Sequence, residues 1–283
     1  MPAQPASPSA PPNLGSTGFA WETLEVKPTG VGERRDVCDQ PTATLERFEC
    51  HISTLNPGLA SHPPHTHAQE ELIILAEGSL DVFTNGNVTR VGPGSVFWFA
   101  SNDPHAVNNR GDVPATYFVF NFATAKTRQL PPLSAAQSAP AEALKSSVWE
   151  WTGLPVETTA TGERRRVVAS PTVTCTSFSC HVTTVRPGAA SHAPHRHADE
   201  EIILVKEGEV EVTINGNRRR AGAGSIFFFG SNDEHGLRNV GERPATYYVI
   251  RIVTEATPAP ATVGQSSTRP DAQPRSAGAG LNQ

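Results

Sequence analysis

The chain has 283 residues, enough for one large domain or two ordinary domains that each bury a core, and two is the expectation. Its net charge of -5, without any long basic run, gives no electrostatic basis for binding nucleic acid or an anionic membrane surface. We therefore expect a small-molecule substrate, no nucleic acid and no membrane as partners.

The N-terminal sequence MPAQPASPSAPPNLGSTG has neither a basic start nor an apolar core of the kind that export signals carry. No apolar run approaches the roughly 18 residues of a membrane helix. The sequence as given predicts a cytoplasmic protein, or an exported one if a leader has been removed. Residues 1–18 are predicted to be a disordered tail, because so few large apolar side chains cannot offset the entropy lost on ordering.

A tandem duplication organises the rest of the chain. The stretch HPPHTHAQEELIILAEG at 62–78 returns as HAPHRHADEEIILVKEG at 192–208, an offset of 192 − 62 = 130 positions. All ten histidines fall into pairs with this same offset, so none lies outside the repeat. We predict barrels over 19–126 and 149–256, a linker at 127–148 and a second disordered tail at 257–283.

Each copy contains the turn signals that are typical of antiparallel β-structure. Asn85-Gly86 and Asn215-Gly216 stand between strand-like runs, and such pairs favour the type I′ turn of a tight hairpin. Many short strands without a long helical period predict an all-β barrel or sandwich. The runs ELIIL and EIILV are apolar at consecutive positions, so we expect the other copy to cover their second face. Further strands are predicted at 95–99, 115–122, 225–229 and 245–253.

The repeated stretch contains side chains that bind metals. His65 and His67 are two positions apart, which in an extended chain places both imidazoles on one face, and Glu71 keeps the same parity. His105 is a fourth candidate from a distant strand. Because the pattern occurs twice, a metal-binding role is favoured over scattered core or surface histidines. The second set of candidate ligands is His195, His197, Glu201 and His235.

Other histidines and carboxylates stand close to these candidates. His62 and His192 lie three residues before each HxH pair and are the candidate catalytic or substrate-binding residues, the alternative being a structural role in the loop. Residues His51 and His181 are expected to be core histidines rather than neighbours of the site. The glutamates at 70 and 200 have the wrong parity for the ion, so they are expected to be solvated or paired across the interface. The aromatic runs 97–99 and 227–229 are expected to be mostly core, with one ring of each lining an apolar pocket.

The pattern resembles the cupin superfamily, whose first motif is Gly, HxH, Glu and Gly and whose second is a PxG-like turn followed by His and Asn. The resemblance covers both halves and implies a bicupin with two tandem double-stranded β-helix (jelly-roll) barrels, each holding one metal through three His and one Glu. Ala223 replaces Pro93 in the second copy, which affects a turn and not a ligand. The other matching residues are Gly58, Gly78, Gly94, Asn109, Gly188, Gly208, Gly224 and Asn239.

Three imidazoles and one carboxylate suit a divalent transition metal, with Fe or Mn favoured and Ni, Co or Zn possible. The leading hypothesis is a mononuclear-metal oxygenase of the quercetinase-like kind, acting on a small chelating enol or phenol with O2. Alternatives are a redox-neutral decarboxylase, isomerase or hydrolase, and a bicupin that only binds metal or ligand. Oxalate decarboxylases carry a substrate-binding Arg where this chain has His62 and His192, which counts against oxalate. Either a monomer with pseudo-dimeric barrels or a homo-oligomer is expected.

Overall fold

The chain forms two similar β-barrels in a computed structural model that describes residues 11–130 and 141–259. Residues 1–10 and 260–283 of the two predicted tails, and residues 131–140 of the predicted linker, fall outside the described residues. Each barrel combines a seven-stranded sheet with a three-stranded sheet, and all strand pairs are antiparallel. No helix in the described ranges has the length and apolar character to cross a membrane. The all-β prediction of two tandem barrels is confirmed.

The strands of the first repeat alternate with tight turns and one 3-10 helix, Trp21–Thr23. They are β1 (Thr17–Phe19), β2 (Lys27–Thr29), β3 (Gly32–Gln40), β4 (Arg47–Leu55), β5 (Glu70–Glu77), β6 (Leu80–Thr84), β7 (Asn87–Val91), β8 (Val96–Phe99), β9 (His105–Asn108) and β10 (Ala115–Ala123).

The second repeat has the same order of elements, after a 3-10 helix at Thr127–Gln129 and with another at Trp151–Gly153. Its strands are β11 (Ser147–Trp149), β12 (Val156–Thr159), β13 (Gly162–Ser170), β14 (Ser177–Val185), β15 (Glu200–Glu207), β16 (Val210–Ile214), β17 (Asn217–Ala221), β18 (Ile226–Phe229), β19 (His235–Asn239) and β20 (Ala245–Val253).

The two repeats exchange their first strands. β1 pairs with β18 of the second repeat, with Thr17 opposite Phe228, and β11 pairs with β8 of the first repeat, with Ser147 opposite Trp98. The ordered chain therefore starts before the predicted boundary at residue 18, and the predicted linker 127–148 ends inside a strand. Each of these strands is three residues long, too short to show the alternating apolar and polar residues that predict a strand. Each is held in place by pairing with a strand of the other repeat.

The predicted hairpin turns are confirmed. Asn85 and Gly86 have φ values of 46 and 86°, and Asn215 and Gly216 have 47 and 78°. Positive φ at both central residues defines the type I′ turn, whose twist matches that of the flanking strands. The turns join β6 to β7 and β16 to β17, which fixes the register of each three-stranded sheet.

The seven-stranded sheets of the two barrels pack against each other through their outer faces. One hydrophobic cluster contains buried side chains from both repeats. The ring centroids of Phe48 and Phe228 are 5.7 Å apart, and those of Trp98 and Phe178 are 4.4 Å apart. The expectation that the other copy covers the second face of the ELIIL and EIILV strands is therefore confirmed.

Each repeat also places a tryptophan on a glycine of the other. Trp151 packs on Gly94 and Trp21 on Gly224, so closely that a Cβ on either glycine would lie 2.7 or 2.5 Å from the indole ring. Both glycines have positive φ, +89 and +83°, a conformation that side-chain-bearing residues rarely adopt. These two positions therefore require glycine for conformation and for contact.

Buried glutamates bond the barrels to each other. Glu70 is fully buried, and its carboxyl group accepts hydrogen bonds from Thr172 Oγ1 at 2.6 Å, Val173 N at 2.9 Å and Thr174 Oγ1 at 2.5 Å. Burial raises the pKa of Glu70, although these bonds favour its ionised form. Of the two sequence alternatives for this residue, pairing across the interface is correct. Glu200 accepts the reciprocal hydrogen bonds from Thr42 and Thr44.

Candidate metal centres

The candidate ligands of the first repeat come from one loop and two strands. His65 and His67 lie in the loop before β5, Glu71 is the second residue of β5, and His105 begins β9. His65 and His105 form an isolated antiparallel bridge, with N–H to O=C distances of 3.1 and 3.0 Å. The sequence predicted that the HxH pair lies in an extended strand, but in the structure it lies in a loop, and of the two histidines only His65 makes a β-bridge. The second repeat reproduces the bridge between His195 and His235.

The three imidazoles converge in each repeat. One nitrogen from each of His65, His67 and His105 lies within 4.8 Å of the others, and His195, His197 and His235 form the same group. The glutamate stands beside them in both clusters: Glu71 Oε2 is 3.4 Å from His67 Nε2, and Glu201 Oε2 is 3.3 Å from His197 Nε2. The structure thus brings together all eight residues that the sequence singled out as candidate ligands.

Backbone carbonyls orient the rings. The Nδ1 atom of His105 lies 2.8 Å from Asp103 O, and that of His67 lies 2.9 Å from Gln69 O. A carbonyl can only accept, so each contact favours an Nδ1–H donor and leaves the lone pair on Nε2. Within the described residues, the buried Nε2 atoms of His105, His197 and His235 have no hydrogen-bond partner. Converging, unpaired Nε2 lone pairs beside a carboxylate fit a divalent transition metal.

Burial favours the neutral form of three of the clustered imidazoles, whereas at His67 the hydrogen bond and charge of Glu71 outweigh burial and raise the pKa. Burial lowers the pKa of His105 and of His195 to about 4, and it also lowers the pKa of His235. Burial alone would raise the pKa of Glu201, but the contact with His197 and the positive charge of Arg251 bring the net pKa below its usual value. For His105, His195, His235 and Glu201, these directions favour the protonation states that metal ligands need.

An aromatic ring stacks on the last histidine of each cluster. Phe99 lies parallel to His105 with ring centroids 4.2 Å apart, and Phe229 lies parallel to His235 at 4.5 Å. Both phenylalanines also line the cavity beside their cluster. One ring of each aromatic run lines a cavity, as expected, but the cavity walls also carry many polar side chains and are not apolar. The stacking restricts rotation of the imidazole.

A cavity opens beside each cluster, with a volume of about 440 Å³ in the first barrel (cavity 1) and about 360 Å³ in the second (cavity 2). His62 lines cavity 1 and meets His65 edge-on, with centroids 3.9 Å apart. His192 lines cavity 2 and meets His195 in the same way at 4.3 Å. Both residues are exposed, so these candidate catalytic side chains lie where each cavity meets solvent.

The prediction that His51 is a core histidine is wrong. It lines cavity 1, and its Nδ1 atom is 2.7 Å from Glu49 Oε1. Arg34 and Asn121 also donate to this carboxylate, at 2.9 and 2.8 Å. Sequence reasoning missed this cluster, although Glu49, His51 and Ser53 form one polar face of β4 while the alternate residues are apolar. That alternation of polar and apolar residues could have indicated that the polar face of β4 lines a polar cavity and does not face solvent.

His181, the equivalent of His51, is not a core residue either, since it lines cavity 2. Burial, together with the positive charge of Arg164, lowers its pKa to about 4. Position 179 holds a serine where cavity 1 has Glu49, so this histidine has no carboxylate two residues before it. The candidate ligands are duplicated in the two barrels, but the cavity walls are not.

A family model described as "Cupin domain" matches residues 51–121 and 181–251, which is 71 + 71 = 142 of 283 residues, or half of the chain. The two matches contain the histidines and glutamates of both clusters. The chain belongs to the cupin family. Each cupin domain has one His-rich candidate metal site, as the resemblance in the sequence implied. Comparison with curated protein sequences finds no match.

Several solved structures share the fold of the paired cupin domains. AerE from Microcystis aeruginosa superposes with a TM-score of 0.60 at 15% identity, covering 81% of this chain and 98% of that protein. A mutant of Bacillus subtilis oxalate decarboxylase OxdC gives 0.64 at 15% identity, covering 87% and 79%. Protein Ylba from E. coli gives 0.65 at 12% identity, covering 87% and 94%. At these identities the likeness shows the fold alone.

Proposed function

We propose that this protein is a metal-dependent bicupin enzyme, an oxygenase that acts on a small enol or phenol substrate with O2. The observation that carries the proposal is the placement of three imidazoles and one carboxylate beside an open cavity in each barrel. The residues proposed as ligands are those of the two clusters. An Fe or Mn ion held there would supply Lewis-acid and one-electron redox chemistry, while Ni, Co or Zn would accept the same donor types.

The pair formed by His51 and Glu49 supports acid–base chemistry in cavity 1. With its Nδ1–H facing the Glu49 carboxylate at 2.7 Å, His51 has Nε2 free to accept the hydroxyl proton of an enol or phenol. Glu49 then stabilises the imidazolium that forms, because it is held by Arg34 and Asn121. In this proposal His51 is the proton acceptor for a substrate bound beside the candidate ligands.

The exposed histidines at the cavity mouths are proposed to contact the substrate. His62 lies edge-on to His65, so a molecule entering cavity 1 passes both rings. His192 has the same relation to His195 in cavity 2. Oxalate decarboxylases carry an arginine at this place in the motif; without that permanent charge, the mouth of cavity 1 favours an uncharged oxygen ligand such as an enol.

The test combines metal analysis with O2 uptake. The full chain is purified anaerobically, its Fe and Mn contents are measured, and O2 consumption is followed with catechols, flavonols and 1,3-diketones. Redox-active metal with substrate-dependent O2 uptake supports the proposal. Zinc at both sites without O2 uptake would favour the redox-neutral alternative, and a chain that takes up no metal would leave only ligand binding.

Two variants separate the assigned roles. His51→Gln is expected to lower kcat at least tenfold and to flatten the pH profile of kcat, with metal content unchanged. His62→Ala is expected to act mainly on KM, because it removes a contact at the mouth. Equal kinetics for native and His51→Gln chains would contradict its role as the proton acceptor.

A further inference from the structure

The walls of the two cavities carry different charge, and the difference centres on one arginine. Arg34 in cavity 1 and Arg164 in cavity 2 occupy matching positions, since 34 + 130 = 164. Arg34 is neutralised by two carboxylates: its Nη2 is 2.9 Å from Glu49 Oε1 and its Nε is 2.6 Å from Asp36 Oδ1. The guanidinium in cavity 1 is therefore already paired within the protein.

Neither carboxylate has a counterpart in the second repeat. Ser179 stands where the first repeat has Glu49, and Arg166 stands where it has Asp36. Across residues 11–130 and 141–259, Arg164 forms no ion pair, and its buried Nε has no hydrogen-bond partner. Burying part of a guanidinium without a partner costs free energy, so the arrangement indicates a ligand that brings the negative charge.

A second arginine reinforces the positive wall of cavity 2. Arg251 replaces the Asn121 of cavity 1 and lines the same cavity as Arg164. Its Nη2 pairs with Asp199 Oδ2 at 2.7 Å, but its buried Nε has no hydrogen-bond partner among the described residues and lies 3.9 Å from Glu201 Oε2. Arg251 thus places a partly compensated positive charge next to a candidate metal ligand.

We infer that cavity 2 binds a small molecule that carries a carboxylate on an apolar body, and that Arg164 is its main anchor. Guanidinium groups pair with carboxylates through two parallel hydrogen bonds, which gives both strength and orientation. The lining of cavity 2 also includes the apolar side chains Ile203, Phe229 and Val249. This inference deepens the proposed function, because it names the substrate class of one of its two sites. Cavity 1, where Arg34 is paired, is left for uncharged molecules.

The test measures benzoate binding by isothermal titration calorimetry on the full chain loaded with zinc, with benzamide as the uncharged control. Arg164→Gln removes the anchor. Ser179→Glu keeps Arg164 but supplies the carboxylate that neutralises Arg34 in the first repeat. The matched control is Arg34→Gln, which makes the same change in cavity 1. Zinc content and circular dichroism are measured for every variant, so that a folding defect is recognised.

The native chain is expected to bind benzoate at one higher-affinity site, at least tenfold more tightly than benzamide. Arg164→Gln and Ser179→Glu are each expected to weaken this site at least tenfold, whereas Arg34→Gln leaves it within twofold. Equal affinity of the native chain for benzoate and benzamide, no benzoate binding by the native chain, or native affinity in Arg164→Gln and Ser179→Glu would overturn the inference.

The inference and the proposed function fail separately. A chain that takes up no metal, yet binds benzoate through Arg164 when titrated without zinc, refutes the metal-dependent enzyme and retains the anion site. Metal loading with substrate-dependent O2 uptake, combined with unchanged benzoate affinity in both cavity 2 variants, would support the metal-dependent enzyme and refute the anion site at Arg164.

Discussion

Replacing Glu70 by alanine would remove a carboxyl group that connects the two barrels. The residue is fully buried in the first repeat and accepts three hydrogen bonds from residues 172–174 of the second. Hydrogen bonds to a charged group contribute about 1.5–3 kcal/mol each, and leaving their donors unpaired in the interior adds a cost. Desolvation of the carboxyl group offsets part of this sum, as its raised pKa shows.

We therefore expect Glu70→Ala to lower the free energy of unfolding by about 3 kcal/mol, the cost of three lost hydrogen bonds less the desolvation that is relieved. Glu70→Gln, which keeps an acceptor oxygen, is expected to cost about 1 kcal/mol. Urea unfolding followed by tryptophan fluorescence and circular dichroism measures both. The exposed Glu163 provides the control, since Glu163→Ala should change stability by less than about 0.5 kcal/mol.

A double-mutant cycle with Thr174→Ala isolates the contact itself. Because Thr174 Oγ1 lies 2.5 Å from Glu70 Oε2, the two substitutions should be coupled by about 1 kcal/mol. The reasoning would be refuted if Glu70→Ala destabilised the chain no more than Glu163→Ala, or if the cycle showed no coupling.

Two further substitutions test the contacts between the barrels. Gly94→Ala should cost at least about 2 kcal/mol, because its positive φ strains alanine and the new Cβ would lie 2.7 Å from the Trp151 ring. Gly92→Ala is the control: a Cβ added at Gly92 would have no heavy atom within 4 Å, so the substitution should cost less than about 0.5 kcal/mol. Equal urea midpoints for the Gly94→Ala and Gly92→Ala chains would count against the proposed packing of Trp151 on Gly94. Tyr248→Phe removes the hydrogen bond that the buried hydroxyl donates to Gly94 O at 2.8 Å, and it should lower the free energy of unfolding by about 1 kcal/mol in the same assay. An unchanged urea midpoint would contradict this expectation.

The fold and the candidate ligands could be predicted because local patterns encode them. Asn85-Gly86 specifies a hairpin through backbone conformation alone, and the HxH pair places His65 and His67 together whatever the rest of the chain does. The duplication then repeated each deduction at an offset of 130, so that His105 and His235 stood out as equivalent distant ligands. None of these steps required knowledge of tertiary contacts.

The features that sequence could not give depend on distant pairing. β1 and β11 are three residues long, and each is ordered only by a strand of the other repeat. Polar residues at alternate strand positions, such as Glu49 and His51, look the same whether they face solvent or a cavity. Which face of a strand points into the barrel is known only once the barrel is formed. For this reason, the charge difference between the cavities, centred on Arg164, could be found only from the structure.

The most direct test of the account is the metal content of the full chain and of variants that lack one histidine from β9 or β19. Anaerobically purified native protein should contain two transition-metal ions per chain by plasma mass spectrometry. His105→Ala and His235→Ala should each contain one, and the double variant none, with unchanged circular dichroism. Full occupancy in the double variant, or loss of both ions from either single variant, would contradict two independent metal centres built from these clusters.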